Sequence, residues 1–287
     1  MRRRAFIFVL LGLVALGGCS EGVLDPKGPI AEGERQILFN SLGIMLAIVI
    51  PTIVATLSVA FWFRSSNRRA RYRPDFAYSG RLEMIVWSIP AMTVLLVGGV
   101  AWIGSHDLDP RKPLASDVAP LRVQVVSLDW KWLFIYPDHG IATINQLTIP
   151  VGTPVSFEFT SLGVMNSFFV PQLGSQIYTM AGMTTRLQLQ ADHAGTYRGL
   201  SANFSGDGFA DMRFAVDAVP AGEFEQWVQA ASRATSPVLD AAAYASLARP
   251  SSALPPQTYR AVAPDLFDSI VNAGMHGHHA PSQRAEK

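Results

Sequence analysis

The stretch ILFNSLGIMLAIVIPTIVATLSVAFWF, residues Ile37 to Phe63, contains no ionisable side chain. At about 1.5 Å of rise per residue a helix of this length exceeds the roughly 30 Å hydrocarbon core of a bilayer, so it can span with tilt. Pro51 lies inside it and should kink it, which a membrane helix tolerates where neighbouring groups satisfy the freed carbonyl. A second apolar stretch, Leu82 to Ile103, is interrupted only by Glu83 near its start. The connection carries Arg64, Arg68, Arg69, Arg71, Arg73 and Arg81 against a single acid, Asp75, which places it in the cytoplasm by the positive-inside rule. Both outer ends of this hairpin then face the periplasm.

Composition agrees with a membrane chain. Hydrophobic residues make up 49% and charged residues only 16% of the 287 residues, and the mean hydropathy of +0.22 is high for a wholly soluble protein. Lys and Arg number 23 against 22 Asp and Glu, so no basic excess argues for a nucleic-acid partner. The single cysteine, Cys19, excludes an internal disulfide, a zinc-thiolate cluster and an iron–sulfur cluster. Arg2, Arg3 and Arg4 precede an apolar run from Ala5 to Ala15, and Leu16-Gly17-Gly18-Cys19 follows, the pattern of an export signal. Leu-Gly-Gly-Cys also resembles the lipobox of bacterial lipoproteins, which implies cleavage before Cys19 and acylation of its thiol.

After Pro113 the pattern changes to short alternating segments: Arg122 to Val126, Gln146 to Ile149, Val155 to Thr160, Thr185 to Gln190 and Met212 to Val216. Turn signals separate them at 137–140, 150–154, 194–195 and 205–208, which predicts a compact antiparallel sandwich or Greek-key barrel. Ala221 to Ala234 and Val238 to Leu247 carry helix formers with apolar residues three and four apart, and a Pro/Ser stretch runs from Pro250 to Pro256. The last residues, with His276, His278 and His279, lack the apolar content to fold alone.

The expected fold class is therefore membrane α plus all-β. It has a leader over 1–18, an exported segment over 19–36, membrane helices over 37–63 and 82–103, and a cytoplasmic loop over 64–81. A β-domain over 104–218, a helical extension over 219–274 and a disordered tail over 275–287 complete it.

This architecture resembles subunit II of the haem-copper respiratory oxidases, whose exported domain is a cupredoxin barrel. The segment from Val164 to Gly174, VMNSFFVPQLG, looks like that family's first copper-ligand segment, and Gly195 through Met212 looks like its ligand loop. Copper-bearing members carry His where this chain has Asn166, Cys at Ser201 and Ser205, Glu at Asn203, a second His at Phe209, and Met at Met212. Only Met212 matches. A dinuclear copper centre needs bridging thiolates, and a serine hydroxyl is a hard donor that stays protonated near neutral pH. The pattern, with DWKWLFIY from Asp129 and GSQIY from Gly174, resembles the quinol-oxidising bo-type branch.

That resemblance implies a non-catalytic subunit with no cofactor of its own, partnered by other oxidase subunits and by membrane lipid. Subunit I would hold two haems and one copper, take electrons from ubiquinol, reduce oxygen to water and pump protons. Neither span carries the histidines that haem ligation requires. Glu83, in the frame EMIVWSIP, is similar to the family's carboxylate at the mouth of a proton channel; its plainer reading is an interfacial carboxylate beside Arg81. Trp130 and Trp132 match an aromatic patch near electron uptake in copper-bearing relatives, but strand aromatics ordinarily serve packing. Met165, Met180, Met183 and Met212 read as gap-fillers rather than a thioether site. Two rivals stand beside this reading: a membrane-tethered cupredoxin-like binding or assembly module, and a copper-bearing cytochrome c oxidase subunit II.

Overall fold

A computed structural model describes residues 22–71 and 73–277. Cys19 and its preceding leader lie outside the described residues, as do His278 and His279. The chain divides into two compact units, one holding Gly33–Asp109 and the other built from the residues on either side of it.

The first unit is a helical hairpin. Helix α1 runs Pro29–Trp62, and α2 runs Gly80–Asp107. Both are long and apolar enough to cross a membrane. Both begin before the apolar stretches, α1 at Pro29, whose fixed φ suits the first helical position, with the polar residues up to Gln36 continuing the same helix. Pro51 and Pro90 lie inside the helices. The hydroxyls of Thr52, Thr56 and Thr93 donate back to Ile48, Thr52 and Ile89 carbonyls at 2.7, 2.8 and 2.7 Å, so polar groups in the apolar runs stay satisfied within their own helix. The helices approach closely at Gly104, where a Cβ would lie 2.4 Å from Ile37 Cδ1.

The second unit is a β-domain of two main sheets and one two-stranded sheet. Its strands are β1 (Leu121–Leu128), β2 (Lys131–Tyr136), β3 (Ile141–Ile144), β4 (Gln146–Pro150), β5 (Val155–Ser161), β6 (Asn166–Phe169) and β7 (Ile177–Thr179). They continue as β8 (Thr185–Leu189), β9 (Gly195–Ser201), β10 (Arg213–Val219), β11 (Val238–Leu239), β12 (Gln257–Tyr259) and β13 (Ala261–Val262). One main sheet has the order β12-β3-β2-β1-β5-β8, the other β4-β10-β9-β6-β7, and β11 pairs with β13 in the small third sheet.

The sheets are not purely antiparallel: β1 pairs with β5 and β4 with β10 in parallel. The alternating segments could not reveal this, since polar alternation reports which face is buried and not strand direction. β2, buried along its whole length, was not anticipated. Its alternation is hidden because both faces are covered: Trp132, Phe134 and Tyr136 enter the core between the sheets, while Leu133 and Ile135 enter a second core.

That second core is made by the C-terminal extension. Helix α3 (Ala221–Arg233) forms as expected and buries Phe224, Val228 and Ala231. The helix expected over 238–247 is instead split: Val238–Leu239 pairs with β13, and Asp240 then caps α4 (Ala241–Leu247) by accepting the Ala243 N–H at 2.8 Å. A further helix, α5 (Leu266–Gly277), reaches into the segment expected to be a disordered tail. Leu266, Phe267 and Ile270 carry it onto the outer face of the six-stranded sheet, which supplies the apolar partner that the sequence alone does not show.

The segment before α1 is also packed. Lys27 N–H donates to Gln172 O and Asp192 N–H to Lys27 O, both at 2.7 Å. Between these bonds Gly28 runs so close to the domain that a Cβ would lie 1.9 Å from Gln190 O, and Ala31 is buried.

Tyr136 closes the edge of the second sheet. Its hydroxyl donates to Thr148 O at 3.0 Å and accepts from Thr148 N–H at 2.9 Å, and burial raises its pKa far above the ordinary tyrosine value. Tyr136→Phe leaves both Thr148 groups unpartnered and should cost about 1–3 kcal/mol at pH 7. The folded-state pKa is raised, so the tyrosine's contribution is complete below pH about 10 and is lost as pH rises beyond it. Urea unfolding at pH 7 and above 10 should therefore show the gap between wild type and variant narrowing.

Candidate functional site

The strand ends bring the six residues singled out by motif to one end of the β-domain. Asn166 opens β6 and Ser201 closes the adjacent β9, in a register that pairs Phe168 with Ser201. The chain then loops through Asn203 and Ser205 into a 3-10 turn at Phe209–Asp211 and returns at Met212, whose carbonyl accepts the Ser201 N–H at 3.0 Å. Asn166, Ser201 and Met212 are buried.

Their polar atoms bind one another. Asn166 Nδ2 donates to Val164 O at 3.2 Å, and its Oδ1 lies 3.2 Å from Ser201 Oγ, whose hydroxyl also reaches Asn203 O at 3.3 Å. Asn203 Nδ2 donates to Met165 O at 3.2 Å. Ser205 Oγ sits 3.9 Å from Met212 Sδ. Phe209 packs edge-on against Phe204 with centroids 5.6 Å apart. With Leu200, Ser201 and Met212 it lines a cavity of about 230 Å³. Hydrogen bonds of Asn166, Ser201 and Asn203, with the Ser205–Met212 and Phe209–Phe204 contacts beside them, form a clasp between two loops.

Trp130 holds the outer side of that loop. It takes a left-handed backbone conformation, φ 64°, and its indole N–H donates to Ser205 O at 3.1 Å. Gly206 and Gly208 lie under the ring, and a Cβ at Gly208 would sit 2.5 Å from it, so a side chain there would displace the indole. Trp132, in contrast, is wholly inside the core, edge-on to Phe168 and Phe214. Of the four methionines, Met212 is buried while Met165 and Met183 are exposed on the surface.

The donor chemistry does not suit a copper pair. The clasp offers hydroxyls, carboxamides, a phenyl ring and one thioether, with neither thiolate nor imidazole to hold and delocalise charge over soft metal ions. Among the described residues no group of three or more His, Cys, Asp and Glu side chains gathers as a ligand set. His139 lies against the Phe224 ring.

One residue that motif reading left unweighed is Lys131. Its side chain is fully buried, and Nζ donates to Arg249 O at 2.8 Å and Ser251 Oγ at 2.6 Å, with Asp129 O at 3.4 Å. Desolvation lowers its pKa, and the Asp129 charge opposes that shift. The signal was a lone cation in an otherwise apolar strand, DWKWLFIY.

In the helical unit, Glu83 occupies the first turn of α2, where its Oε2 accepts from the Trp87 indole N–H at 3.2 Å. A carboxylate there also suits the positive end of the helix dipole.

Comparison with known proteins gives this frame its family. The family model described as cytochrome c oxidase subunit II, periplasmic domain, matches residues 139–219, and the COX aromatic rich motif matches residues 233–278. The chain is 45% identical over 277 residues to cytochrome bo(3) ubiquinol oxidase subunit 2 of Pseudomonas aeruginosa, covering 93% of this chain and 83% of the relative. It is 47% identical over 271 residues to ubiquinol oxidase subunit 2 of Acetobacter aceti, covering 93% and 88%. The chain belongs to the ubiquinol oxidase subunit 2 family. A more distant relative, quinol oxidase subunit 2 of Bacillus subtilis, is 39% identical over 228 residues, covering 78% of this chain and 71% of its own. Membership in the ubiquinol oxidase subunit 2 family makes the chain a subunit of an oxidoreductase complex and not its catalytic site. The aromatic rich motif coincides with the extension that builds the second core, so that extension belongs to the family's architecture.

Proposed function

We propose that this chain is the structural subunit II of a proton-pumping ubiquinol oxidase of the bacterial inner membrane, partnered by a haem-copper subunit I and carrying no redox centre. The hairpin spans the membrane with its arginine loop in the cytoplasm, and the β-domain and N-terminus lie in the periplasm, where the Cys19 thiol is acylated. The observation that carries this reading is the clasp: at the six positions where copper-bearing relatives hold metal, Asn166, Ser201 and Asn203 are tied to one another and to the neighbouring backbone by hydrogen bonds of 3.2–3.3 Å, Ser205 lies 3.9 Å from the Met212 sulfur, and Phe209 packs on Phe204. Quinol travels within the bilayer and can deliver electrons straight to the haem subunit, so a copper relay in the periplasm has no task. Two haems and one copper in subunit I complete the complex, and subunit I binds the ubiquinol.

The test is to purify the complex through a C-terminal tag and follow oxygen uptake driven by ubiquinol. Haem should co-purify, and uptake should be unaffected by reduced cytochrome c. A colourless chain without uptake would favour the stand-alone module, and uptake driven by cytochrome c would favour the copper relay.

Glu83 is assigned to proton loading from the cytoplasm, as a carboxylate at the end of a membrane helix. Glu83→Ala should lower proton uptake and steady-state quinol oxidation together, while Glu83→Asp retains much of both. Unchanged turnover in the alanine variant would leave Glu83 as an interfacial carboxylate held by the Trp87 indole.

A further inference from the structure

We propose that the arginine-rich connection between α1 and α2 is a binding surface for the headgroups of anionic phospholipids. The proposal rests on the hairpin spanning the membrane. Between Phe63 and Glu83 the chain carries six arginines and one acid, Asp75. All six arginines are exposed, and among the described residues none forms a salt bridge with Asp75 or Glu83. The positive charge is left for a partner outside the hairpin.

Two further observations identify that partner as a membrane surface. The arginines follow directly on an apolar helix of membrane length, and exposed aromatic side chains flank the run from Arg64 to Arg73: Trp62 and Phe63 on one side, Phe76 and Tyr78 on the other. Aromatic rings in this position settle at headgroup level, which brings the loop into the phosphate layer. In addition, the Arg64 guanidinium lies over the Phe61 ring, 4.1 Å from its centroid. Stacking occupies the face of the guanidinium and leaves its in-plane N–H donors free to bind phosphate oxygens two at a time. Basic clusters next to a membrane helix bind anionic lipid through the same surface potential.

The test uses the assembled complex in mild detergent, with native mass spectrometry counting phosphatidylglycerol and phosphatidylcholine retained from an equimolar mixture. Wild type should retain phosphatidylglycerol in preference, and added salt should erode the preference. Each arginine near an anionic surface is worth about a fivefold factor, so the triple variant Arg68→Gln, Arg69→Gln, Arg71→Gln should lose on the order of a hundredfold. Arg64, Arg73 and Arg81 remain to keep the loop's orientation, and the matching triple Arg→Lys variant keeps the charge and should retain most of the preference.

Equal retention of the two lipids by wild type, or an unchanged preference in the glutamine variant, would overturn the proposal. Loss of the preference on adding inorganic phosphate at millimolar concentration would identify a free-phosphate site instead. If the glutamine variant does not assemble, a salt-insensitive preference in wild type overturns the proposal on its own. Labelling a Ser66→Cys variant with an impermeant maleimide in sealed vesicles of each orientation separates this outcome from an error in topology.

Discussion

Phe168→Ala should destabilise the β-domain by about 3–5 kcal/mol, the cost of removing a large aromatic from a closed core. Phe168 is fully buried and stands at the centre of the inter-sheet core. Its ring centroid lies 5.6 Å from those of Trp132 and Phe157, 4.9 Å from Phe159 and 5.1 Å from Phe214. Four aromatic partners on three strands of two sheets cannot close together over the space it vacates, because their strands hold them in place. A domain stabilised by roughly 5–15 kcal/mol then loses a large share of its margin. Melting of the full chain in detergent, followed by near-ultraviolet circular dichroism, should fall by roughly 10 °C. Phe204→Ala is the control: that ring is 74% exposed and its loss should shift melting little. Equal shifts in the two variants would mean that the inter-sheet core does not set the domain's stability.

Lys131→Met should be nearly as severe, for a different reason. The methionine fills the volume but cannot donate, so Arg249 O and Ser251 Oγ lose the donor they share. The cost is about 2–4 kcal/mol, that of leaving polar groups buried without partners. The damage should be local, since these bonds tie the segment after α4 to the start of β2, and protease cleavage should appear first in the C-terminal extension.

The pH dependence of this lysine follows from the sign of its shift. Desolvation lowers its folded-state pKa, so in the window below the ordinary lysine value the unfolded chain binds more protons. Wild-type stability therefore gains from this group as pH rises toward that value, and the methionine variant does not. Urea unfolding between pH 7 and about 9.5, below the range where tyrosines ionise, should show the gap between the two widening. A gap that narrows would mean that Lys131 is stabilised in its charged form.

The two membrane-length helices and the β-domain were legible because their signals are local. A run free of charge from Ile37 to Phe63 and the alternation in Val155 to Thr160 each carry their meaning in one segment. Among the strands that the alternating segments do not predict, β2 and β3 are covered on both faces, and their covering lies more than a hundred residues away in α5. Strand direction escaped for a related reason, since the pairing of β1 with β5 is a property of the assembled sheet. At the clasp, resemblance located the residues, but residue types alone could not show that Asn166, Ser201 and Asn203 bind one another. Lys131 was visible as an odd charge in an apolar strand, and its partners come from a loop that no periodicity connects to it.

The clasp makes a sharp statement about metal content. Hydroxyl and carboxamide groups stand where thiolates and imidazoles would be needed, so the β-domain should hold no copper. The deciding measurement is the copper-to-iron ratio of the purified complex under conditions that retain full quinol oxidase activity. One copper for every two haem irons, all of it in the haem subunit, is the predicted result. About three coppers for every two irons, with the added pair tracking this chain, would contradict it.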